Sequence, residues 1–162
     1  MYRIFAICLF LSSGAVWAQA PATDAERAEV MIAVDDYLRA RESGDLDTAY
    51  GMMGFELKAE IDLDRYRRSE TTRRAHMGPL ERFTPLRAMR YDEIPQRFVL
   101  DYLAFYANDL AECGYLVWIN EDEKLTLSRI VSGALEADLV GTDKGATLMR
   151  DLGCVAIPEA RP

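Results

Sequence analysis

Histidine is nearly absent from this chain, with one residue, His76, in 162. Cysteine is scarce too, at three residues. So little imidazole and thiolate leaves little material for a His/Cys zinc site, and no metal or other cofactor is expected. Positive charge is also short, with 19 Lys+Arg against 27 Asp+Glu and a formal net charge of −8. That balance argues against a nucleic-acid partner held mainly by phosphate contacts. Past the N-terminus no apolar run nears the roughly twenty residues that a membrane-crossing helix needs. What is present is half apolar and 28% charged, the composition of one globular domain rather than of a disordered chain.

The N-terminus reads as an address. Met1-Tyr2-Arg3 is a short basic start, Ile4 to Val16 is an apolar run, and Ala18-Gln19-Ala20 carries the small residues that signal peptidase requires. Residues 1–20 are therefore read as a secretory signal, which makes the chain a secreted protein, most naturally of a bacterial periplasm. The alternatives are an uncleaved anchor and a lipoprotein built on Cys8, but Cys8 lies inside the apolar run without small residues before it. Cleavage removes Arg3 and Cys8, leaving a more acidic mature chain with two cysteines, Cys113 and Cys154. Two thiols in an oxidising compartment are expected to pair, the alternative being two buried free thiols. Closing that loop is worth about 4 kcal/mol in the chain-entropy model.

Helical periodicity comes first along the mature chain. Val30, Met31, Val34, Tyr37 and Leu38 form one stripe, with Asp24 as expected N-cap and Gly44 past the end. Asp45 opens a second, shorter helix through Leu46, Ala49, Tyr50 and Met53, and Asp62 or Asp64 a third that runs through Tyr66 to Met77. After Pro79 the period changes to two. Strands are expected at residues 82–92, 97–106, 111–120 and 124–132, joined as an antiparallel meander, with Pro85 placing the first at an edge. The fold class is therefore α+β, three N-terminal helices covering one face of a twisted antiparallel sheet of at least four strands. Residues 21–135 form this domain. Residues 136–162 are a C-terminal extension, with a short helix near 144–152 that carries Cys154 back to the sheet.

The order of elements, the Ser43-Gly44-Asp45 break before Ala49-Tyr50, and the spacing of Tyr66, Arg74 and Gly78 carry a resemblance. Over residues 26 to 132 the chain resembles the nuclear transport factor two and ketosteroid isomerase-like superfamily, and within it a family of secreted bacterial domains of unknown function. It differs in having Tyr66 where tryptophan is expected and in its cysteine-bearing tail. The resemblance implies a cone-shaped, cystatin-like fold with a pocket between helices and sheet, and related domains often dimerise through the sheet. It implies no reaction, since the fold carries enzymes and non-enzymes alike.

Two lone charges interrupt apolar strands: Asp101 in Phe98–Leu103, and Arg129 between Leu127 and Val131. Two-residue turns at Asn108-Asp109 and Asp122-Glu123 would set Asp101 opposite Leu116 and Leu116 opposite Arg129. The Cα atoms of the two charges would then be two strand spacings apart, about 9.6 Å. Gly114 and Trp118 would share that face and line a cavity toward the helices, with Tyr50 as a further pocket candidate. The plain alternative is an ion pair that only fastens the sheet. A one-residue slip would send all these side chains to the other face. The opposite face, with Phe98, Leu100, Tyr102, Cys113, Tyr115 and Val117, is too apolar to stay bare, so the tail or a second copy should cover it.

His76 is the one histidine available for acid–base work, and its place at a helix end makes a surface role the simpler one. Arg65 to Arg97 holds nine arginines against four acids, in a chain acidic on both sides. Internal neutralisation is the simpler account, and an anionic partner the functional one. Two functions compete: a non-catalytic module that binds a small apolar ligand or a protein, and an isomerase, cyclase or dehydratase with Asp101 as base. The second requires a dry, unpaired Asp101.

Overall fold

Thr23, not Asp24, starts the first helix. Its hydroxyl accepts from the Glu26 amide while the Glu26 carboxylate accepts from the Thr23 amide, a reciprocal capping box. The computed structural model describes residues 19–92, 95–121 and 124–154; most of the expected signal segment lies outside them. Helix α1 (Asp24–Ser43) ends at Gly44 in the left-handed region, φ 84°, where glycine bears no steric penalty. Asp45 caps α2 (Leu46–Gly51) and Asp62 caps α4 (Leu63–Met77). Between them lies a helix that the sequence pattern did not show, α3 (Phe55–Glu60). Six residues are too few to display a period, and no side chain caps it. Among the described residues four helices therefore precede the long strands, not three.

A short strand β1 (Gln19–Pro21) pairs with the end of β2 (Leu80–Tyr91), and the expected cleavage point after Ala20 falls within it. β3 (Arg97–Tyr106), β4 (Leu110–Glu121) and β5 (Lys124–Glu136) follow, and the sheet is antiparallel in the order β1-β2-β3-β4-β5. Pro85 lies outside the part of β2 that β1 covers and beside a register irregularity, both places where a missing N–H is tolerated. Helices α1–α4 cover one face. There Val30, Val34 and Tyr37 of α1 and Tyr66 and Met77 of α4 pack on Phe98, Leu100, Leu116, Trp118 and Leu127. Tyr37 meets Trp118 edge-on, ring centroids 6.4 Å apart.

Past β5 a 3-10 turn (Ala137–Leu139) leads into α5 (Asp143–Asp151). This tail crosses the face away from α1–α4. Met149 is fully buried against Leu103, Ala111, Cys113 and Leu135. The Cys113–Cys154 disulfide fastens it, with Cα atoms 5.7 Å apart.

Two local departures set the register. The β3–β4 connection is three residues, Ala107 to Asp109, not two, because Tyr106 pairs with Leu110. The extra residue docks the loop on the end of α4. Ala107 N–H donates to the Pro79 carbonyl, Asn108 N–H to that of Met77, and the Asn108 side chain to that of His76. Asp109 takes φ 55°, the left-handed third position of a three-residue hairpin. The second departure is a bulge in β5. Val117 pairs with Arg129 but Trp118 with Leu127, leaving Ser128 as the extra residue. Beside the bulge, Leu127 N–H donates to the Met52 carbonyl and the Leu127 carbonyl accepts from Gly54 N–H.

Candidate functional site

These shifts rearrange the expected row. Asp101 stands opposite Tyr115, which stands opposite Val131. Leu116 faces the helices with Leu100 and Ile130, and Arg129 sits beside Val117. Asp101 and Arg129 therefore share a face one row apart, without contact, and it is the face turned away from α1–α4. Leu116 does not lie between them.

Asp101 has another partner, Arg87, directly across on β2. The guanidinium Nε and Nη2 both lie 2.8 Å from Oδ2. Burial lifts the Asp101 carboxyl above the usual aspartate range, and the Arg87 charge and hydrogen bond pull it back without cancelling the rise. The Asp101 side chain is 4% exposed and that of Arg87 42%, so the pair joins the sheet surface to its interior.

The remaining sequence candidates sit in the core. Trp118 is fully buried, and its indole nitrogen has no hydrogen-bond partner. Gly114 opens no cavity, because a Cβ there would fall 2.0 Å from the Val131 carbonyl oxygen. The glycine is required by the close approach of β5. Tyr50 is half-buried, donates to the Ile61 carbonyl and packs on the Tyr66 ring at 5.8 Å. His76 is exposed at the end of α4.

A concavity lies on the outer face beyond the tail. It is a groove of about 230 Å³ lined by Glu56, Tyr91, Arg97, Val99, Tyr115, Val117, Ser128 and Arg129. Val99 and Val117 are register partners with Arg129 next in the row, so two valines form a floor with a guanidinium beside it. Ser128 Oγ donates to Glu56 at 3.0 Å, so the bulge and α3 together build one wall. Tyr91 and Arg97 are engaged within the chain, whereas the Arg129 side chain has no hydrogen bond or ion pair among the described residues. The pattern contained Arg129 as a lone strand charge, but its place depends on the bulge.

Sequence reasoning also missed a polar cluster between helices and sheet. Arg41, 7% exposed, donates to the Tyr106 hydroxyl and lies 3.9 Å from Glu70. Arg73 joins Glu70 and Glu42 at 2.7 and 2.9 Å, and Tyr102 donates to buried Glu112 at 2.5 Å. Burial opposes the charge of Arg41, but Tyr37, Tyr106, Glu70 and Glu112 hold it and raise its pKa. Burial also raises the Tyr102 hydroxyl, and Glu112 adds to the rise. Every charge in this cluster has a counter-charge or hydroxyl, which suits a fastening between α1, α4 and the sheet.

Part of the basic segment is neutralised at home. Arg67 pairs with Asp47 and Asp64, Arg73 with Glu42 and Glu70, Arg87 with Asp101, and Arg90 with Glu26 and Asp92. Arg82 lies over the Phe105 ring. No group of three or more metal-ligating side chains occurs among the described residues. No described helix is long and apolar enough to cross a membrane.

What fold and site define is an α+β domain with a filled helix-facing core and an open groove on the other sheet face. No family model matches the chain, and neither a curated protein nor a solved structure matches it at a significant level.

Proposed function

We propose that this chain is a non-catalytic secreted module, of nuclear transport factor two-like ancestry, that binds a small, partly apolar ligand in the groove on the outer face of its sheet. The observation that carries this is the groove itself, which half-buried Val99, Tyr91 and Tyr115 line with buried Val117, none of them packed in the cluster around Met149 of α5. Apolar floor with a few polar groups is how small-molecule sites are built, and about 230 Å³ suits a ligand smaller than the usual drug-sized one. Export through a cleaved N-terminal segment agrees with the disulfide, which persists in an oxidising compartment. An enzyme with Asp101 as base has less support, because Arg87 occupies that carboxylate.

Native mass spectrometry of the protein, exported by its own N-terminal segment and purified without organic solvent, tests the reading. A bound small molecule is expected, and Val117→Trp, which fills the groove, should abolish it while leaving the circular dichroism unchanged. A ligand retained by Val117→Trp would overturn the reading.

A further inference from the structure

Resting on the groove as the binding site, we infer that its ligand is a small monocarboxylate with an apolar body, and that Arg129 is the residue that selects the charge. Arg41, Arg67, Arg73, Arg87 and Arg90 already have carboxylate partners. Arg129 lines the groove, is exposed, and has no hydrogen bond or ion pair among the described residues. A guanidinium beside an apolar floor is suited to a carboxylate, which it meets with two parallel N–H donors, while the floor takes the attached hydrocarbon.

The same wall limits the charge to one. Glu56 lines the groove with its carboxylate held by Ser128, so a second negative group on the ligand would meet a fixed anion. A cationic ligand is disfavoured by Arg129, which stands on the β5 side of the Val99–Val117 floor. The register makes this arrangement specific. Without the Ser128 bulge, Arg129 would share a face with Leu127, which is fully buried under the helices. The bulge places apolar Leu127 inside and Arg129 outside within three residues.

The experiment is a titration of the Val99 and Val117 methyl resonances, in the chain with its Cys113–Cys154 bridge intact. Three probes share one body: phenylacetate, the neutral 2-phenylethanol, and the cationic phenethylamine. Phenylacetate is expected to shift both methyls saturably and to bind at least about tenfold more tightly than the alcohol, as loss of one charge-assisted pair implies. Arg129→Gln should weaken phenylacetate by about the same factor and leave the alcohol unchanged. Arg150→Gln, at an exposed arginine of α5, should alter neither. If acid and alcohol bind equally, or Arg129→Gln has no effect, the charge selection is wrong while the apolar groove stands. If no probe shifts Val99 or Val117, the groove reading falls with it.

Discussion

The two faces of this sheet are closed by different means. The helix-facing side is filled by side chains alone, with Trp118, Leu100 and Leu127 fully buried beneath Tyr37 and Val34. The outer side is only half covered, by a short tail that needs a covalent fastening. Met149 and the Cys113–Cys154 bridge hold it, and the strands beyond carry valines, tyrosines and arginines around a groove. Dispersion and burial over a large contact suffice for the first face, whereas a nine-residue helix buries too little to stay docked unaided. A face that is only partly covered is also the one with room for a ligand.

That contrast breaks most sharply at the inner face. Trp118→Ala should cost about 3–5 kcal/mol, read as a lower urea midpoint with an unchanged slope. A loss below about 1 kcal/mol would mean that the inner core is not closely packed. The outer face ranks next. Replacing both Cys113 and Cys154 by alanine should cost about 2–4 kcal/mol, and hydrogen exchange should accelerate in α5 and at Ala111 and Leu135 while α1 keeps its protection. Equal acceleration in α1 would show that the two faces are not separate.

The smallest effect concerns the ion pair at the edge of the tail. Asp101→Ala leaves Arg87 free to turn to water, so the loss should be about 1–2 kcal/mol, short of the cost of stranding a fully enclosed partner. The pH dependence sharpens it. Asp101 binds its proton more tightly in the folded chain than at the reference value of 3.8. Its contribution is therefore complete below that value and is lost as pH rises through the raised folded pKa. Glu26, held below 4.5 chiefly by its hydrogen bonds to Thr23 and then by Arg90, has the opposite sign. Its contribution is present above 4.5 and is lost as pH falls through the lowered value. In urea titrations from about pH 3 to 6, wild type minus Asp101→Asn should shrink with rising pH, and wild type minus Glu26→Gln should grow.

Much of the fold was legible because periodicity is a local property. The 97–106 strand is read to the residue, and the α1, α4 and α5 segments to within a residue or two. The disulfide was legible for a different reason, since two cysteines in one oxidised domain have one way to pair. Helix α3 was not, because six residues around Phe55 show no period.

The register of the sheet was out of reach of the sequence, and with it the site. Asn108-Asp109 reads as a two-residue turn on its own. It becomes a three-residue loop because its amides and the Asn108 side chain meet carbonyls from Met77, Pro79 and His76, far along the chain. Ser128 reads as an ordinary strand residue and becomes a bulge because Leu127 pairs with Met52 and Gly54. Composition and local pattern determined the longer helices, the four long strands and the cross-link. Which face each strand residue presents, whom Asp101 pairs with, and that Arg129 stands beside a groove were decided by contacts between distant segments, because one residue of slip exchanges the two faces of a strand.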